Sequence, residues 1–363
     1  MVAGEIFEYK GTKDMLTDTL TGKLINGAYS WFSEYYFRNN YKRRALKHIE
    51  QIERTNSLKL SPKIKRMADD YAIQVFGKKE YARWFYLYSL LYGEFTEGWI
   101  PADFYERIVA PIRGINMATC FKTLTNVILK TEALPDLAYY INGIFYSRDF
   151  TVIKISDVRE IAGEQCKEVF VKKDHSMQGK GINKLDIASL NEDTFKRIGN
   201  CVIQVPVRNH KFLKEIMPNS LSTLRITTVT NLEGKIEYRA SFLRVGRKDD
   251  EWVRVHKEVD ISIIDKDGEL DPYGYEDEWK VCLSHPDTNF VFSKKRIPLF
   301  KEAVETCIKL HASVPHFRII GWDIAISEDE KIRLLEWNGA LTDVVFHQAT
   351  TGPCFSGLKW EEL

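Results

Sequence analysis

Apolar positions follow one repeat in the first third of the chain and another in the rest, with the change between residues 115 and 135. Residues 1 to about 115 carry helical punctuation. Ser61-Pro62 sets an N-cap before a proline at the first helical position, Ile64, Met67, Ala68, Tyr71, Ile73 and Val75 follow, and Gly77 is placed to end the helix. Residues 81–92 form a second apolar helix, closed by Gly93 and the Gly98-Trp99-Ile100-Pro101 turn. Beyond residue 135, segments 167–174, 201–207, 223–230, 236–245, 259–264, 317–326 and 331–337 read as strands, because they concentrate β-branched and aromatic residues and several alternate polar with apolar. Residues 298–311 read as a helix with Phe300, Ala303, Val304, Cys307 and Leu310 on one face. Strands that follow one another without a helix between 223 and 264 predict antiparallel sheet, so the expected class is α+β.

Length and charge narrow the function. The 363 residues admit about two domains, and 52 Lys and Arg against 51 Asp and Glu leave no global field for nucleic acid. Six scattered cysteines without a C-x-x-C pair argue against a zinc cluster or a disulfide scaffold, and point to a reducing, cytoplasmic setting. The first residues lack a secretory pattern, and the apolar run 84–92 is about half the length a membrane span requires. Residues 36–48 interleave aromatic side chains with Arg38, Lys42, Arg43, Arg44 and Lys47. That pattern suits a peripheral membrane or glycosyltransferase contact, or simply a solvated helix face.

The chemistry concentrates near the C-terminus. Gly321-Trp322-Asp323-Ile324-Ala325-Ile326 and Lys331-Ile332-Arg333-Leu334-Leu335-Glu336-Trp337-Asn338 read as a hairpin joined by a four-residue polar turn. If Ile326 pairs with Lys331, Asp323 lies opposite Leu334, and Asp323, Leu334, Glu336 and Asn338 share a face. Two carboxylates and an amide oxygen are hard ligands suited to Mg²⁺; the plain alternative is a half-buried hairpin with polar residues toward water. A strand ending at Lys172 then runs into Gly179-Lys180-Gly181, where glycine amides and lysines would approach phosphate, unless this is an ordinary surface turn. It is not a Walker loop. Arg225, Arg244 and Arg247 sit in or beside otherwise uncharged strands, where each requires either an internal acid or an anionic ligand.

Taken in order, the strand–lysine–glycine loop, Val202-Ile203-Gln204-Val205-Pro206-Val207, Thr223-Leu224-Arg225-Ile226-Thr227, His285-Pro286-Asp287, and Gly-Trp-Asp-Ile-Ala with Glu-Trp-Asn resemble the ATP-grasp superfamily, and within it the sugar-transfer-associated group. The resemblance covers about residues 140–350 and, more faintly, 97–146. It implies a helical N-terminal region over 1–115, a small lid subdomain over 116–207 and a large subdomain with the metal site over 208–363, the two α+β subdomains clasping ATP. It further implies Lys172 on the α/β-phosphates with Gly179, Lys180 and Gly181, and Gln204, Val205 and Val207 at the adenine. Arg225 would hold the γ-phosphate or acyl phosphate, Asp323, Glu336 and Asn338 would bind Mg²⁺, and Arg244, Arg247 and His347 would face the acceptor. Two departures stand out: Lys173 follows Lys172 where proline is common, and 248–260 lacks the Asn- and Gly-rich stretch expected before the Ile-Asp turn.

The reaction so implied joins a carboxylate, such as a uronic acid in a surface polysaccharide, to an amine such as an amino acid, through an acyl phosphate. A phosphotransferase on the same fold, or a nucleotide-binding scaffold without turnover, are the rival expectations.

Overall fold

The computed structural model describes residues 20–176, 181–248 and 258–363, with side chains from residue 35 onward. The N-terminal third is helical. Helix α1, Leu20–Asn56, packs on α3, Ala82–Tyr92, through Ala45 and Ile52. Between them lies α2, Pro62–Phe76, whose N-terminus is capped by the Ser61 hydroxyl accepting from the Ile64 amide and whose C-terminus is ended by Gly77 at φ 72°. That glycine follows from the left-handed conformation, which side chains resist. Met67 and Ile73, grouped by periodicity with the core positions of α2, instead face solvent, while the smaller Ala68 and Ala72 make its buried stripe.

Two antiparallel sheets follow. The first takes β1 Asp136–Ile141, β2 Ile144–Ser147, β3 Val152–Ile153, β4 Glu168–Lys173, β5 Ile182–Asp186 and β6 Cys201–Gln204, ordered β3-β2-β1-β6-β4-β5. The second takes β7 Thr223–Thr230, β8 Ile236–Val245, β9 Val259–Ile263, β10 Leu270–Tyr275, β11 Val281–Cys282, β12 Ile319–Ile326 and β13 Ile332–Asn338, ordered β11-β10-β9-β8-β7-β12-β13. The class is α+β, as the run of strands without helices requires.

Strand alternation gives the second sheet two different faces. Leu224, Ile226, Leu243, Val245, Ile261, Ile324 and Leu334 point to one side, against the helix Phe300–Ala312 through Ala303, Cys307 and Leu310. The other side carries Arg225, Arg244, Asp260 and Asp323. It is covered in part by the helix Val344–Thr351, which packs on α3 and so joins the sheet to the N-terminal helices. No helix among the described residues is long and apolar enough to cross a membrane.

Candidate active site

The hairpin β12–β13 departs from the simple expectation twice, by one residue at the turn and by one more before Asp323. Ile326 pairs with Ile332, Ala325 with Arg333 and Ile324 with Leu334, but Asp323 then pairs with Glu336. Leu335 is therefore the extra residue of a β-bulge. A bulge breaks the alternation, leaves a residue unpaired and re-aims its neighbours. Leu334, expected beside the carboxylates, turns into the core with Trp322 and Trp337. The backbone freed at the bulge finds other partners: the Leu334 amide donates to the Ala133 carbonyl at 2.9 Å, and the Leu335 carbonyl accepts from Lys172 Nζ at 3.3 Å. The bulge is thus where the edge of the second sheet meets the first.

Around that contact lies a cleft of about 280 Å³, lined by Lys122, Asp136, Lys172, Gln204, Leu335 and Glu336 among others. Lys172 comes from β4 and Gln204 from β6, which pair directly, so both reach the cleft from one sheet. Burial pulls the Lys172 ammonium below its usual range, against the attraction of Glu336 and Asp136. Lys122 is buried too; its Nζ donates to the Ser176 carbonyl at 2.8 Å and lies 3.7 Å from Glu336. Nothing in the sequence pattern singled out Lys122, which sits on an irregular 3-10 segment, Lys122–Leu124. Two cations, Lys122 and Lys172, thus share the cleft with two carboxylates, Glu336 and Asp136.

Gln204 Nε2 donates to Asp136 at 2.7 Å, and Tyr139 donates to the same carboxylate at 2.8 Å. Burial raises the Asp136 pKa while these two bonds restrain it. The Gln204 carbonyl oxygen remains as an acceptor. Val205, in contrast, spends its amide on the Pro135 carbonyl at 2.9 Å, so only its carbonyl can serve a base edge. Gly181 belongs to the turn after β4: its carbonyl accepts from the Lys173 amide at 3.0 Å, and a Cβ there would lie 2.2 Å from that of Ser176. Gly179 and Lys180 lie outside the described residues.

Asp323, Glu336 and Asn338 occupy one side of the hairpin. Asn338 Nδ2 is 3.4 Å from Asp323 Oδ2, and Glu336 is a direct cross-strand neighbour of Asp323. Among the described residues no three His, Cys, Asp or Glu gather as a self-sufficient metal cage. Two carboxylates plus an amide oxygen match the sparser demand of Mg²⁺, which completes its shell with water and substrate phosphates.

The arginines are placed otherwise than expected. Register sets Arg225 on β7 opposite Asp323, and the two form a bidentate pair at 2.7 and 3.0 Å. Arg225 Nη1 also reaches the Leu341 carbonyl at 3.0 Å and Asp343 at 2.9 Å. Its planar fork is engaged by protein groups in this structure, so Arg225 orients Asp323. A Cβ at position 321 would stand 3.2 Å from that guanidinium, so a larger residue there would require the arginine to give by a few tenths of an ångström. Arg244 lies opposite Asp260 and binds it at 2.9 and 3.0 Å, with Asp343 3.9 Å away. The result is a chain of alternating charge, Asp260–Arg244–Asp343–Arg225–Asp323, which ends at the candidate metal ligands. Burial raises the Asp343 pKa, but Arg225 and Arg244 together outweigh it and hold the carboxylate below its usual range. Arg247 pairs with Asp287 at 2.7 Å and Glu276 at 3.1 Å, a structural anchor for the end of β8.

His347 does not face an acceptor. It is fully buried in the helix Val344–Thr351, with Nε2 2.8 Å from the Thr227 hydroxyl. Burial pushes its pKa from 6.5 down to about 3. A depressed pKa contributes stability that is present above 6.5 and lost as the pH falls toward the folded value. His285 and His311, held down by burial as well, act in the same direction. Equilibrium denaturation between pH 6.5 and 5 should therefore show stability falling with pH. In His347→Gln the slope should be shallower by as much as about 1.4 kcal/mol per pH unit, the value of one proton.

Residues 189–359 match the family model described as sugar-transfer associated ATP-grasp. No curated protein matches the sequence. Among solved structures, the chain is similar to the biotin carboxylase domain of 2-oxoglutarate carboxylase from Hydrogenobacter thermophilus, solved with MgADP, ADP and bicarbonate, at 12% identity and TM-score 0.38 over 62% of this chain and 41% of that one. It is similar to the ATP-grasp ligase PsnB in complex with its minimal precursor, at 14% identity and TM-score 0.40 over 68% and 62% of the two chains. It is also similar to N5-carboxyaminoimidazole synthetase from Staphylococcus aureus complexed with ADP, at 14% identity and TM-score 0.40 over 64% and 50%. The chain spans less than two thirds of the length of each of these three structures.

Proposed function

We propose, from the premise that residues 189–359 are a sugar-transfer associated ATP-grasp sequence, that the protein is an Mg-ATP-dependent ligase joining a carboxylate to an amine. The carboxylate is a sugar-linked one, such as a uronic acid in surface polysaccharide biosynthesis, and the amine is of the amino-acid type. The observation that carries the reading is the cleft in which Lys122 and Lys172 confront Glu336 at the β13 bulge.

In this reading Lys122 and Lys172 bind the nucleotide phosphates, helped by the loop through Gly179, Lys180 and Gly181. The Gln204 carboxamide and the Val205 and Val207 backbones meet the adenine. Asp323, Glu336 and Asn338 hold magnesium, which when bound offsets phosphate charge and polarises the transferred phosphoryl group. Arg225 fixes the Asp323 carboxylate, whose Oδ1 keeps a lone pair after accepting from the guanidinium while Oδ2 also accepts from Asn338 Nδ2. Arg244 and Asp343 continue that support away from the metal ligands.

The chemistry balances in two steps. A substrate carboxylate oxygen attacks the γ-phosphorus, the bond to the β-phosphate oxygen breaks, and ADP leaves an acyl phosphate. The amine nitrogen then attacks the acyl carbon, gives up a proton, and inorganic phosphate departs as the amide forms. Lys122 and Lys172 stabilise charge on the phosphates throughout, and no covalent enzyme intermediate is needed.

The test is an incubation of the full chain with MgATP, a panel of uronic acids and a panel of amino acids. Phosphate release that requires both partners, with a product weighing their sum less water, is the expected outcome. A product that gains a phosphoryl group on a hydroxyl without any amine would replace the ligase by a phosphotransferase.

A further inference from the structure

The exposed side of α1 combines aromatic, aliphatic and basic side chains, with Glu50 and Glu53 at its C-terminal end. Its buried side, through Ala45, Gln51 and Ile52, faces the helical core, while Tyr41 and Arg44 are tied to Glu106. At about 100° per residue, Tyr35, Tyr36, Lys42, Arg43, Leu46 and Lys47 fall on the opposite side, and all six are exposed. Tyr35, Tyr36 and Leu46 are 56%, 52% and 45% exposed. Among the described residues, no carboxylate forms an ion pair with Lys42, Arg43 or Lys47. This differs from Arg44 and Arg54, which pair with Glu106 and Glu278.

The Glu106 anchor leads into a second exposed apolar run. Ile108, Ile112 and Ile115 are 37%, 40% and 52% exposed. Ile112 and the exposed Leu341 line a cavity of about 330 Å³ that also contains Glu336 and Asn338. That run starts from the Glu106 side of α1, the side away from Lys42, Arg43 and Lys47, and reaches the rim of the candidate site.

We propose that this face of α1 is a docking surface for an anionic lipid bilayer. The chemistry selects that occupant. Unpaired lysine and arginine flanked by tyrosine and single aliphatic side chains suit the headgroup layer, where ammonium groups meet lipid phosphates and amphipathic rings settle at the interface. Protein interfaces deplete lysine from their cores, and a chain with a net charge of +1 lacks the broad positive field of a nucleic-acid binder. If the carboxylate substrate of the ligase reading is carried on a lipid, docking brings the protein to the surface that holds it; this consequence rests on the ligase reading, while the docking itself does not.

Co-sedimentation of the full chain with vesicles, without nucleotide, tests the proposal. Vesicles containing phosphatidylglycerol should capture the protein, pure phosphatidylcholine vesicles should not, and added salt should weaken the capture. Each cation at an anionic surface multiplies partitioning about fivefold, so K42E/R43E/K47E should lower it at least about a hundredfold. The neutral variant K42Q/R43Q/K47Q, should the first fail to fold, is expected to lose most of the same capture. Equal capture by neutral vesicles, full capture of the triple variant, or displacement from vesicles by a short oligonucleotide would each overturn the proposal. Because vesicle capture and phosphate release are read separately, failure of one leaves the other standing.

Discussion

Glu336→Gln is expected to reduce MgATP turnover by roughly 10²–10³-fold, the loss that follows removal of one preorganised electrostatic group. The substitution keeps the size of the side chain and removes only its charge. Glu336 sits directly across from Asp323, borders both cavities, and is the carboxylate that Lys122 approaches at 3.7 Å. Its own side chain is 35% exposed, but the substitution takes a carboxylate from beside the buried Lys122 and Lys172, so circular dichroism of the variant should first show a retained fold. Two readouts separate a metal-ligand role from a merely structural one. The magnesium concentration needed for half-maximal phosphate release should rise, whereas nucleotide binding measured in the presence of a chelator should persist, because Lys122 and Lys172 remain. Wild-type turnover in the variant, with an unchanged magnesium requirement, would remove Glu336 from the proposed site.

The hairpin that carries Glu336 shows what a sequence can and cannot specify here. Alternation is a local property, so the strands β12 and β13 and the apolar side bearing Trp322 and Ile324 were legible. The bulge at Leu335 was not, because a leucine there satisfies either face, and what selects the bulge is distant: the Ala133 carbonyl and Lys172. Arg225 was legible as a buried cation in need of an anion. Its choice of Asp323 over a phosphate depends on strand register between β7 and β12, which nothing local encodes. Lys122 was invisible for another reason. It lies on 3-10 turns between residues 114 and 124, where no period of 2 or 3.6 marks a face, and its partners Ser176 and Glu336 are 54 and 214 positions away in the chain. Strand β1 escaped too: five of its six residues are buried, so it lacks the alternation that marks a half-exposed strand. The N-cap of α2, by contrast, depends on Ser61 and Ile64 alone and could be read directly.

Arg225→Ala is expected to cost about 3–5 kcal/mol of folding stability, the typical penalty for breaking a buried ion pair from one side. The arginine side chain is only 8% exposed and Asp323 is 18% exposed. Asp323 loses both guanidinium bonds, Asp343 loses its 2.9 Å partner, and the Leu341 carbonyl loses a donor. The denaturant midpoint should fall accordingly, with the slope of the transition unchanged. Arg225→Lys keeps a charge but cannot span both oxygens of Asp323 at once, so its loss should be intermediate. Adding Asp323→Asn to Arg225→Ala should recover part of the stability, since the amide carries no charge to strand. Arg247→Ala makes the comparison useful. That arginine also holds a bidentate carboxylate, Asp287, but is 31% exposed, and solvent screening should keep its loss to about 1 kcal/mol. Equal losses for the two arginines would mean that burial does not set the cost. The chain of charge from Asp260 to Asp323 would then be no stiffer a support for the proposed metal ligands than an ordinary surface pair.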